Sequence, residues 1–235
     1  SILGEGFDLH CGGMDLKFPH HENERAQAVA LGKEFASHWM HNGFVVDAEG
    51  EKMSKSLGNV ANLLDLLEHY DARAYRLVLL QTHYRSPVRI GQDNIDAAVN
   101  ALAGLDAFAA RTEHLDSDAP DADAIARFRE LMNDDLDTPS ATALMFETIR
   151  RANAALDSAS ESAAGLSAAV RDMCLAFGLT IKEAESVPAE VLARAAALDA
   201  ARAAKDFATA DALRAALQSD GWIVETNKAG TTVRR

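Results

Sequence analysis

From Asp93 to Ala204 apolar residues recur at helical spacing almost without a break, which constrains the fold more than any other feature of the chain. Ile95, Val99, Leu102, Leu105 and Phe108 mark one amphipathic face, and Ile125 to Met132 begins another after a polar, Asp-rich linker at 116–123. In DDLDTPSA, Thr138 is the expected N-cap with Pro139 at the first helical position. Further helices are expected over 140–156, 166–177 and 189–204. The abundant alanine favours helix propensity and close helix contact, so this half reads as an all-α bundle.

The ends of the chain read differently. At the front, Phe7 to His10 is the end of a short strand, Gly12 and Gly13 permit a tight turn, and Pro19 suits the first turn of a helix. Residues 25–38 look helical, and Trp39 to Val46 reads as a second strand. Apolar positions from Val60 to Tyr70 and a helix over 71–80 follow, then THYRSPVRI breaks the pattern with Pro87 and β-formers, as at a domain seam. At the back, Asp206 can cap a helix that leads into two strands around 227–230, a small helix and hairpin. The whole is α/β in class.

At 235 residues and 48% hydrophobic the chain can bury a sizeable core in one to three domains. No apolar run approaches a membrane span, which sets the expectation of a cytoplasmic protein that meets no membrane. Its formal net charge of −13 argues against general coating of nucleic acid but leaves a local basic site open. Cys11 and Cys174 are too few and too distant for a disulfide framework.

Two stretches carry chemistry. In EKMSKSLGN, Lys52 and Lys55 stand three apart with serines beside them and Gly58 before a helical pattern, a loop suited to a polyphosphate. In FDLHCGGMDLKFPHHENE, His20 and Glu24 are four apart and share a helix face. That spacing lets imidazole and carboxylate meet one metal, or simply each other. His21 is expected to point elsewhere, and Cys11 is a third ligand or a packing residue. His38, His41 and Arg85 read as structural or surface groups.

These strings, with WMHNGFVV and HYRSP in the same order, resemble the second half of the catalytic domain of bacterial cysteinyl-tRNA synthetases, which are class I enzymes. DDLDTP and KDFATADALRAALQSDGW resemble their DALR-type helical domain and small C-terminal piece, so the resemblance covers practically the whole chain. It implies a partial Rossmann-like catalytic domain over 1–58, a stem-contact-like segment over 59–92, a tRNA-binding DALR-type bundle over 93–204, and an anticodon-side module over 205–235. It implies ATP-dependent activation of cysteine to cysteinyl adenylate and transfer to cysteine tRNA, in a monomer rather than an oligomer.

The resemblance also implies site roles. Lys52 and Lys55 would be catalytic, and Gly12, Gly13, Asp15 and Lys55 would bind ATP, with Mg²⁺ accompanying it. His20 and Glu24 would be two ligands of a Zn²⁺ that binds the substrate thiolate. The family's HIGH-type motif and two zinc cysteines would precede Ser1, so the expectation is a C-terminal piece, inactive in isolation, and Cys11 is not the missing ligand. Two alternatives stand beside this reading: a ligase joining cysteine to an amino-sugar in thiol-cofactor synthesis, and a non-catalytic tRNA-binding fragment. Arg214, Arg234 and Arg235 are expected to contribute to RNA contact.

Overall fold

The computed structural model describes residues 4–46, 50, 67–115, 119–182, 188–227 and 230–234. Chain packing divides them into two compact units, 1–182 and 183–235.

The first unit begins with a βαβ arrangement. Strand β1 (Phe7–Gly13) leads through tight helical turns over 14–21 into α1 (Glu22–Ala30), and β2 (Ala36–Asn42) returns parallel to β1. The register sets His10 beside Trp39 and Gly12 beside His41. Gly12 and Gly13 therefore continue the strand instead of forming the expected turn, and Gly13 has an ordinary extended φ of −70°. Helix α1 is also shorter than expected. Gly32 takes φ +69° and the Lys33 N–H reaches back to the Ala28 carbonyl, a left-handed stop that frees Ala36 to start a strand.

A second parallel pair follows, β3 (Val45–Val46) with β4 (Val88–Arg89). Between them lies α2 (Ala72–Leu80), capped by the Asp71 carboxylate, which accepts from the Arg73 N–H. The expected seam at THYRSPVRI is thus a returning strand. Gly43 N–H donates to the Tyr84 carbonyl at 2.7 Å, and a Cβ at Gly43 would sit 2.2 Å from the Ser86 carbonyl oxygen. The lysine loop and most of the helical pattern expected after it fall outside the described residues.

Four further helices follow among the described residues: α3 (Gln92–Arg111), α4 (Ala122–Asn133), α5 (Thr138–Asp157) and α6 (Ser162–Phe177). The N-cap of α5 is Asp137, not Thr138: its carboxylate accepts from the Ser140 N–H at 3.1 Å, so Thr138 and Pro139 occupy the first two helical positions. Leu77, Leu105, Met145, Val170 and Met173 are fully buried at the centre. Ala141, Ala152 and Ala169 have no exposed surface, so α5 and α6 approach closely where these small side chains sit. Phe128 meets Phe177 edge to face at 5.2 Å. Helix α6 ends at Gly178 with φ +62°, and the buried Leu179 donates its N–H to the Cys174 carbonyl.

An ionic clamp ties the start of α2 to the bundle. The largely buried Arg73 guanidinium donates to Asp71, to Asp106 of α3 and to the Thr180 carbonyl beyond α6. Lys182 adds its ammonium to Asp71 and its backbone N–H to Asp106.

The second unit contains α7 (Ala189–Ala203), α8 (Phe207–Ser219) and an antiparallel hairpin of β5 (Ile223–Asn227) and β6 (Gly230–Arg234). The helix and hairpin expected after Asp206 are present, with Asp206 accepting from the Thr209 N–H. Helix α7, expected with the bundle, instead packs on α8 and β6 and buries Val191, Ala195 and Leu198 against Leu217, Trp222 and Val233. Asp199 reinforces this by accepting from the backbone and hydroxyl of Thr231 at 2.9 and 2.6 Å.

Candidate functional site

The front βαβ segment gathers histidines because of how its strands register. Residues alternate across a strand, so His10 and Gly12 of β1 share a face with Trp39 and His41 of β2. Gly12 has no side chain, and the His21 imidazole, carried in at the turn before α1, fills the space. A Cβ at Gly12 would lie 2.6 Å from His21 Cε1. His21 Nδ1 and His41 Nε2 are 2.9 Å apart, one donating and the other accepting. Burial, with His10 and His41 beside it, holds the His21 pKa below the ordinary histidine value, so the ring is neutral at neutral pH.

Glu24 lies one helical turn beyond His20, and its two oxygens face different partners. Oε1 is 3.6 Å from His20 Nε2, whereas Oε2 is 3.0 Å from His10 Nε2. The His10 ring is braced edge-on by Phe7, Phe35 and Trp39 at centroid distances of 5.8, 5.1 and 4.9 Å. The His20 ring stays largely open to solvent. Among the described residues, the donor atoms of His10, His21 and Glu24 lie within 4.8 Å of one another.

His20 and Glu24 are therefore together as the sequence spacing required. His21 does not point away from the cluster, because the bare backbone of Gly12 admits it. Spacing along one helix could not find His10, which comes from a neighbouring strand; its placement on the same face as Gly12 was the available signal. Cys11, next along β1, is exposed and lies outside this donor group. His38 serves the backbone, 3.1 Å from the Asp8 carbonyl, while His41 belongs to the cluster.

Gly13 and Asp15 also meet: a Cβ on Gly13 would be 2.6 Å from Asp15 Oδ1, so the carboxylate folds over the glycine backbone. Met14, Asp15, Lys17, Phe18 and Glu22 line an open depression of about 580 Å³ there. Lys52 and Lys55 lie outside the described residues. Arg85, a surface charge in the sequence reading, pairs with Asp135 at 2.7 Å, and Tyr84 donates to the same carboxylate at 2.6 Å. Arg214 donates to Thr226 at 2.8 Å.

The residues present fit a zinc ion as a two-ligand half-site. Metal–nitrogen and metal–oxygen bonds of about 2.0–2.2 Å place two ligand atoms on a tetrahedral ion roughly 3.3–3.5 Å apart. His20 Nε2 and Glu24 Oε1, at 3.6 Å, are close to that separation.

Residues 1–100 match the tRNA synthetases class I (C) catalytic domain, and residues 127–182 match the DALR domain. Cysteine–tRNA ligase of Pseudomonas fluorescens (strain SBW25) is 41% identical over 99% of this chain and 52% of its own length. That of Haemophilus influenzae (strain 86-028NP) is 39% identical, covering 99% and 53%. The chain thus spans about half the length of the curated relatives it matches. Among solved structures, LeuRS of Agrobacterium radiobacter K84, in a ternary complex with tRNA and LeuAMS, superposes with a TM-score of 0.63 at 20% identity, over 72% of this chain and 26% of that one. Mycobacterium tuberculosis methionyl-tRNA synthetase bound by methionyl-adenylate gives 0.57 at 19%, over 74% and 42%. These two likenesses are of fold. Residues 1–100 thus belong to the class I tRNA synthetase catalytic domains, and residues 127–182 to the DALR domains.

Proposed function

We propose that the protein activates cysteine with ATP and transfers it to the 3′ end of cysteine tRNA. The observation that carries this reading is the His20 and Glu24 pair, set at metal-ligand separation beside the glycine strand, in a chain similar to cysteine–tRNA ligases. Zinc held there would bind the substrate thiolate, which separates cysteine from serine by a bond that a hydroxyl makes poorly. His20 and Glu24 hold one side of the ion, and the remaining ligands come from outside the described residues.

In this reading Gly12, Gly13 and Asp15 lie on the nucleotide side of the site. Lys52 and Lys55 place positive charge on the ATP phosphates, with Mg²⁺, as pyrophosphate leaves. That role is electrostatic and needs no general base. The helices between Gln92 and Phe177 support tRNA, and the module from 205 onward serves the anticodon side, with Arg214, Arg234 and Arg235 among its RNA contacts. The protein acts in the cytoplasm as a monomer.

The acceptor decides between this reading and amino-sugar ligation. With the full-length protein, cysteine and ATP, esterification of cysteine to tRNA is expected, with none to an amino-sugar. Ligation to the sugar alone would replace the reading, and tRNA binding without any cysteine-dependent reaction would leave only a binding module.

A further inference from the structure

We infer that His10 is a positioning residue, which fixes the Glu24 carboxylate so that its other oxygen faces the metal. The inference rests on the proposal that His20 and Glu24 hold the ion. A carboxylate on a helix can rotate about its side-chain bonds, and a ligand left free to do so loses affinity through the ordering it must undergo on binding. Here the two oxygens are divided between two tasks. Oε1 stands 3.6 Å from His20, a ligand-to-ligand separation, and Oε2 stands 3.0 Å from His10, a hydrogen-bond separation.

A carboxylate can only accept, so His10 carries its proton on Nε2 and donates it. The ring cannot easily turn away, because Phe7, Phe35 and Trp39 bracket it. The sequence spends a histidine and three aromatics on holding one oxygen of Glu24. Joint ligation by His10 and Glu24 Oε2 fits less well, since their 3.0 Å contact is shorter than the roughly 3.3–3.5 Å between ligands on a tetrahedral ion. His21 is bonded to His41 through Nδ1 and seated over Gly12.

Zinc affinity of the full-length protein, read by competition with a chromogenic chelator, tests this without any turnover. His10→Leu removes the donor and keeps apolar packing. His10→Gln keeps an N–H near the Nε2 position. His20→Ala is the ligand control, and a thermal melt of each variant establishes that it is folded. The expected result is zinc binding about 10- to 100-fold weaker in His10→Leu, within about threefold of wild type in His10→Gln, and weaker still in His20→Ala. The cobalt-substituted His10→Gln protein is expected to keep the wild-type visible spectrum, since its ligand set is unchanged. Unchanged affinity in His10→Leu with loss in His20→Ala would overturn the positioning role and leave the metal reading standing. Unchanged affinity in His20→Ala would overturn the metal reading itself. Loss in both His10 variants with an altered cobalt spectrum would make His10 a ligand, contrary to the inference. If His10→Leu does not fold, His10→Gln decides: a large loss of affinity in a folded protein contradicts the inference, and retention with an unchanged spectrum supports it.

Discussion

At Gly12 the missing side chain is occupied by another residue's ring. His21 lies where a Cβ would go, so Gly12→Ala forces the imidazole off His41 or pushes β1 away from the turn before α1. Overpacking of this kind costs about 1–3 kcal/mol, and denaturant unfolding is expected to show a loss in that range. Cys174 provides a second test at this scale. Its thiol is buried within 3.6 Å of Met145 Sδ, and burial pushes its pKa up to about 12. The thiolate is the reactive form, so alkylation at pH 8 is expected to modify Cys174 only after unfolding, as measured by peptide mass spectrometry. His20 with Glu24 was legible in the sequence because both lie on one short stretch. His10 and His41 were not, since only strand register brings them in.

Capping and ion pairing decide much about the elements. The structure moves the α5 cap from Thr138 to Asp137, so Asp137→Ala is expected to cost about 1 kcal/mol and Thr138→Ala much less, in urea melts. The Arg73 clamp has larger consequences. Arg73→Ala leaves Asp71 and Asp106 partly buried without their main cation, and a loss of about 2–4 kcal/mol is expected. The clamp also sets a pH dependence. Hydrogen bonds from Arg73, opposed in part by burial and aided by Lys182, hold the Asp71 carboxyl far below its ordinary value of 3.8. The folded state therefore binds this proton less readily than the unfolded chain. Its stabilisation is complete above the ordinary aspartate value and declines as pH falls below it. Acid titration of unfolding free energy is expected to lose part of that slope in Arg73→Ala. Helical spacing announced the bundle helices, but no periodicity reveals that an arginine near one helix start will find an aspartate on another helix, Asp106, and a carbonyl at Thr180.

The two units have separate cores, and the division after Lys182 was the least legible feature of the whole molecule. Alanine-rich α7 has the same helical signal as the bundle, and only packing shows that its Leu198 belongs with Leu217 and Trp222. Trp222→Ala is expected to lower the melting of residues 183–235 while core signals from Leu105 and Met145 persist, as followed by residue-resolved hydrogen exchange. The strings expected to carry phosphate and metal chemistry are short and local in sequence; of their residues His20 and Glu24 stand together, and Lys52 and Lys55 lie outside the described residues. The most direct test of the account is cysteine-dependent ATP–pyrophosphate exchange by the full-length protein, measured with cysteine and serine side by side. Exchange with cysteine, none above background with serine, and loss of exchange in Lys55→Ala is the expected result. Equal exchange with serine, or none with cysteine in the zinc-loaded protein, would contradict the account.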